Sequence, residues 1–175
     1  MFSLEALKID LKAMVVDCIE TTYVLDDDYF AALDGADIQQ GRVEVGVSIR
    51  KTENYFTLSL NAEGFVMVQC DRCLDDMQQQ ISGASSFIVK LSNETSEDDE
   101  IINVDEVEGI LDTSWLIYET IALSVPIKHV HAPGKCNAAM TEKLNELSAT
   151  RSGDGAEESI DPRWAALAKL KEEGN

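Results

Sequence analysis

The chain has 175 residues, with 14 Lys and Arg against 33 Asp and Glu and a formal net charge of -19. That length suits one ordinary domain with room for a tail, and such a field repels phosphate, which excludes a broad electrostatic grip on RNA or DNA. Hydrophobic residues make up 45% and aromatics only 6%, which excludes wholesale disorder and implies a core of Val, Leu, Ile and Ala.

Residues 4–25 read as extended, because Leu7, Ile9 and Leu11 alternate with polar neighbours and Val15, Val16, Ile19, Tyr23 and Val24 follow in a β-rich run. DDDYFAALD at 26–34 predicts a short helix capped by Asp26 or Asp27 and stopped by Gly35. RVEVGVSIRK at 42–51 alternates Val43, Val45, Val47 and Ile49 on one face. Glu53-Asn54 then turns the chain into YFTLSLNA, and Glu63-Gly64 is expected to turn it again before FVMVQC at 65–70. QQISGASSFIVKL at 79–91 predicts a further strand, weakened or bulged at Gly83.

The stretch 92–108 is almost uniformly acidic around Ile101, Ile102 and Val104. It predicts a mobile loop, a short strand and then a helix start. DTSWLIYETIALS at 112–124 predicts a helix capped by Asp112 or Thr113 and ended by Pro126. KHVHAPGKC at 128–136 reads as a loop, and NAAMTEKLNELSA at 137–149 as an amphipathic helix with Met140, Leu144 and Leu147 as its stripe. The predicted class is α+β: an antiparallel β-meander carrying several short helices. One domain is expected over 1–149 and a flexible linker over 150–160, followed by a helical tail over 161–175 in which Pro162 opens the helix and Trp164, Leu167 and Ala168 share a face.

No run approaches the ~18 apolar residues of a membrane span, and the opening MFSLEALKIDLK lacks the apolar core of a secretory signal. A cytoplasmic protein is expected. In a reducing compartment a close cysteine pair suggests metal or redox chemistry before a structural disulfide. Cys70-Asp-Arg-Cys73 is such a pair. Its spacing lets two thiolates reach one tetrahedral zinc while the amides of the turn face the sulfurs. Two further ligands are needed, and His129, His131 and Cys136 lie together in one loop; His131-x4-Cys136 has the spacing of a second half-knuckle. The candidate ligands are therefore Cys70, Cys73, His131 and Cys136. The competing account makes them neighbouring thiols beside a surface histidine. Cys18 reads as a small apolar residue of a strand, and Asp71, Arg72, Asp75 and Asp76 as the charged rim of the knuckle. A thioredoxin-type role is disfavoured, because that motif opens a helix after a buried strand.

Several stretches together resemble the YceD family of large ribosomal RNA subunit accumulation proteins: GRVEVGVSIRK, FTLSLNAEGFVMVQCDRCLDDM, DTSWLIYETIALSVP, HAPGKC and DPRWAALAKL. They span nearly the whole chain in order. The resemblance implies a role in producing or maintaining large-subunit ribosomal RNA, and it implies no catalytic residue. The family's first cysteine pair corresponds to Cys70 and Cys73, and its second, often cysteine-rich cluster is here His131 and Cys136.

No P-loop, G-x-S-x-G or G-x-G-x-x-G motif occurs. The expectation is a non-enzymatic ribosome biogenesis factor with a structural zinc. Its partner would be a basic large-subunit protein or a precursor particle, with weak or no binding to naked RNA and none to membranes. The alternatives are a zinc-dependent RNA-processing hydrolase and an acidic interaction module unrelated to ribosomes.

Overall fold

A computed structural model of the chain describes residues 2–93 and 101–148. A 3-10 turn at Leu4–Leu7 leads into strand β1 (Lys8–Asp10), β2 (Cys18–Leu25), helix α1 (Asp27–Ala32), β3 (Gly41–Lys51), β4 (Phe56–Gln69) and β5 (Asp76–Leu91). Then come β6 (Ile101–Val104), β7 (Ile110–Asp112), α2 (Ser114–Leu123) and α3 (Ala138–Leu147). The α+β expectation holds. Contacts group the chain into two units, Met1–Asn137 and Ala138–Asn175, so α3 belongs to the second. The predicted linker at 150–160 and tail at 161–175 lie outside the described residues.

The main sheet has the order β2-β3-β4-β5-β6, antiparallel except for the parallel pair β5–β6. Alternation sends every second side chain to the core. The register stacks Val45, Ala62 and Gly83 across three strands, and Val47, Leu60 and Ser85 in the next row. Small residues in these rows leave space for α2, which packs across β4 and β5. Ile117 and Ile121 of α2 are fully buried there.

Four expectations are corrected. Glu63-Gly64 does not turn the chain: β4 runs through both residues, with Val43 opposite Gly64. Glycine is required there by a φ of +154° and by the Arg42 carbonyl oxygen, which a Cβ would overlap. Gly83 is not bulged, since β5 keeps one register against β4 throughout; a Cβ there would overlap Ser124 Oγ at the end of α2. Residues 4–25 are not one extended run. Asp10 Oδ1 accepts the N–H groups of Lys12 and Ala13, which breaks the strand, and Val15 and Val16 are exposed. Residues 105–112 do not start a helix either. The Asp105 carboxylate accepts the N–H groups of Val107 and Glu108, Gly109 takes a φ of +68°, and β7 then pairs with β1 in a separate two-stranded sheet.

Both predicted caps are present in substance. Asp26 accepts the Asp28 N–H at the start of α1. At α2 the N-cap residue is Thr113, but the capping oxygen belongs to Asp112, which accepts from Ser114 N at 2.9 Å. Thr113 turns instead to the core, donating from Oγ1 to the Leu7 carbonyl at 2.7 Å. Within the second unit α3 buries none of its residues, and Leu144 and Leu147 of its stripe are exposed.

Candidate metal centre

At the end of β4 the chain makes a tight reversal before β5. The Cys70 N–H donates to the Asp75 carbonyl and the Leu74 N–H to the Cys70 carbonyl, each at 2.9 Å. The reversal requires Leu74 to take a φ of 63°, a left-handed conformation uncommon for a non-glycine residue. It places the Arg72 N–H 3.4 Å from Cys70 Sγ. Cys70 and Cys73 are both buried.

The loop after α2 closes over this knuckle. Cys136 Sγ lies 3.9 Å from Cys70 Sγ, and His131 Nδ1 lies 3.4 Å from Cys73 Sγ. The four ligand atoms all lie within 4.8 Å of one another. Metal–sulfur bonds of ~2.3 Å and a metal–nitrogen bond of ~2.0 Å at tetrahedral angles require sulfurs about 3.8 Å apart and sulfur–nitrogen separations of about 3.5 Å. The two observed distances match those edges, so Cys70, Cys73, His131 and Cys136 form a cage that can hold a tetrahedral metal ion. His129, the other histidine of the loop, is not among the four. The fold excludes it from the cage: its Nδ1 lies 3.0 Å from the Pro126 carbonyl oxygen and its Nε2 3.5 Å from Asp71 Oδ1.

The electrostatics of the cage are divided. Burial raises the Cys70 thiol, but the backbone amides of His131, Cys73 and Arg72 and the His131 ring outweigh it, leaving a pKa of about 6. Burial raises Cys136 to about 11, aided by its hydrogen bonds with Cys70 and Cys73. Metal-free, the site therefore favours a thiolate at Cys70 and a thiol at Cys136; a bound cation would allow several thiolates to coexist.

Two residues of the charged rim have distinct jobs. Asp71 receives the His129 main chain through its carboxylate at 2.8 Å, and Asp75 Oδ2 accepts from Asn137 Nδ2 at 3.1 Å. These ties join knuckle to loop across some sixty residues of chain, and no local pattern announces them. Cys18 stands outside the cage on β2, half-buried, with its Sγ 3.8 Å from Ser48 Oγ. No described helix is long and apolar enough to cross a membrane.

A family model described as "Large ribosomal RNA subunit accumulation protein YceD" matches residues 58–171, more than half of the chain and inclusive of all four cage residues. No curated protein and no solved structure gives a match.

Proposed function

The chain belongs to the YceD family, and from that membership we propose that it is a non-enzymatic ribosome biogenesis factor of the cytoplasm. It supports accumulation of large-subunit ribosomal RNA by binding a basic large-subunit protein or a precursor particle. Zinc in the Cys3His cage has a structural role, tying the β4–β5 reversal to the loop after α2.

The observation that carries this reading, beside the family, is the closure of the cage. A catalytic zinc keeps one position open for water or substrate, whereas four protein ligands fill a tetrahedron. Four candidate ligands within 4.8 Å of one another therefore weigh against the hydrolase alternative. The net charge of -19 favours capture of a basic protein and opposes an encounter with bare RNA.

Tagged protein isolated from cells, with both bound RNA and bound protein identified, tests the reading. The expected result is enrichment of large-subunit precursor or of a basic large-subunit protein, weakening as salt rises, with little affinity for naked large-subunit RNA. Tight, salt-resistant binding to naked RNA with no affinity for any ribosomal protein would overturn it.

A further inference from the structure

Beside the knuckle, bordered by the cage residue Cys70 and by His129, lies an open cleft of about 690 Å3. One wall is the segment entering β3, including Asp37. The other is the knuckle, with Asp71, Leu74 and Asp76, and the floor is the end of β4 at Met67 and Val68. Three carboxylates line it, and none of its described lining residues is Lys or Arg.

Three properties make this cleft suited to a ligand. It offers apolar surface: Leu74 is 61% exposed at a reversal where its backbone takes a φ of 63°, and Met67 and Val68 line the same cleft. It is preformed. The Tyr118 hydroxyl accepts the N–H groups of Asp37 and Ile38, and the Met67 N–H donates to the Gln40 carbonyl, so one wall is held by α2 and β4. The opposite wall is held by the cage and the Asp71–His129 ties. Binding there therefore forfeits little ordering entropy. Its permanent charges, Asp37, Asp71 and Asp76, are all negative, with His129 already turned to Asp71, which selects against phosphate and for ammonium or guanidinium groups. The volume lies within the ~300–1,000 Å3 typical of ligand sites, enough for a few side chains of a peptide.

We propose that this cleft docks a short basic segment of a partner protein, with an aliphatic side chain on Leu74 and Met67 and Lys or Arg side chains against Asp37, Asp71 and Asp76. The inference deepens the reading of a basic protein partner and rests on it only for the partner's identity. The metal cage then serves recognition by presenting Leu74.

The test is an NMR titration of the zinc-loaded full chain with a twelve-residue Lys/Arg peptide containing one central leucine. Its controls are the same peptide with Glu for every Lys and Arg, and a single-stranded RNA of equal length. The basic peptide is expected to shift Asp37, Met67, Leu74 and Asp76 selectively. Asp37→Lys with Asp76→Lys should weaken it at least tenfold, and Leu74→Asn, which tolerates the same left-handed backbone, should weaken it severalfold with zinc content unchanged. Shifts elsewhere, indifference to these variants, equal shifts with RNA, or the same shifts on concentrating the protein alone (a second copy in the cleft) would each overturn the proposal. Pull-down with the Asp37→Lys/Asp76→Lys variant separates the cleft from the function. Undiminished capture of the ribosomal partner would sink the cleft and leave the proposed function standing. Peptide binding by a protein that captures no ribosomal component would do the reverse.

Discussion

Asp71 and His129 hold each other through both main chain and side chain. The Asp71 N–H donates to the His129 carbonyl at 3.0 Å, the His129 N–H donates to Asp71 Oδ2 at 2.8 Å, and the ring Nε2 lies 3.5 Å from Oδ1. Each residue lies within two positions of a cage residue. The two halves of the ligand set are thus joined by the protein itself, and a metal would complete a site that is already assembled.

Asp71→Ala is accordingly expected to destabilise the metal-free protein by about 1.5 kcal/mol, the lower end for a hydrogen bond to a charged group because the site is partly exposed. Asp71→Asn keeps an acceptor for the His129 N–H and should retain most of that stability. Urea denaturation of both variants in the presence of chelator measures the difference; equal losses would show that charge, not the hydrogen bond, holds the pair.

Protein purified without chelator is expected to carry one equivalent of zinc, and Cys73→Ser or Cys136→Ser to carry less than a tenth. Small zinc modules derive ~10–16 kcal/mol of folding energy from the metal. Here a sheet core stands on its own, so removal of zinc should leave a folded protein with a melting temperature lower by roughly 5–10 °C. Elemental analysis and thermal scans with and without chelator check both statements. Complete unfolding on chelation would show that the core depends on the metal.

The metal-free cage also predicts a pH profile. Cys70 has a folded pKa of about 6 against an ordinary value of 9.0, so its thiolate form is the one the fold favours. Its contribution is fully present above pH 9 and is lost as pH falls through 6. Cys136, raised to about 11, is favoured as the thiol; its contribution is present below pH 9 and is lost as pH rises through 11. Stability of the metal-free protein should therefore climb between pH 6 and 9 by an amount that Cys70→Ser removes. Parallel profiles for the two proteins, followed by chemical denaturation, would refute this assignment.

Two glycines are expected to differ in what they tolerate. A Cβ at Gly64 meets backbone, overlapping the Arg42 carbonyl oxygen and lying 2.8 Å from Val43 Cα. A Cβ at Gly83 meets the side chain of Ser124, lying 2.9 Å from its Cβ. Gly64→Ala should cost more than ~3 kcal/mol, and Gly83→Ala ~1–3 kcal/mol. Ser124→Gly should partly rescue the second and leave the first unchanged, as denaturation of the single and double variants would show.

The long strands were legible in the sequence because one period of two governs 41–51 and 56–62, and nothing local competes with it. The Glu63-Gly64 pair misled because glycine after a polar residue signals a turn, whereas here glycine answers a close approach by the neighbouring strand. Strands β1 and β7 were illegible for a different reason: three residues carry no measurable period, and each exists through pairing with the other. The cage was legible as a set of residue types. The half-knuckle spacing of His131 and Cys136 already selected His131; what spacing does not encode is the part His129 plays, its ring set between Asp71 and the Pro126 carbonyl.

The hydrogen bonds between Thr113 and Leu7 span 106 residues, whereas β3, β4 and β5 are joined in chain order by short links. Closing the longer loop sacrifices more chain entropy before any contact returns it. The chain is accordingly expected to condense from its middle outward, because β1 pairs with β7 and Leu7 with Thr113, and the cage needs Cys136. Pulse-labelled hydrogen exchange during refolding should protect Val45 and Leu60 before Thr113; simultaneous protection would point to a single concerted step.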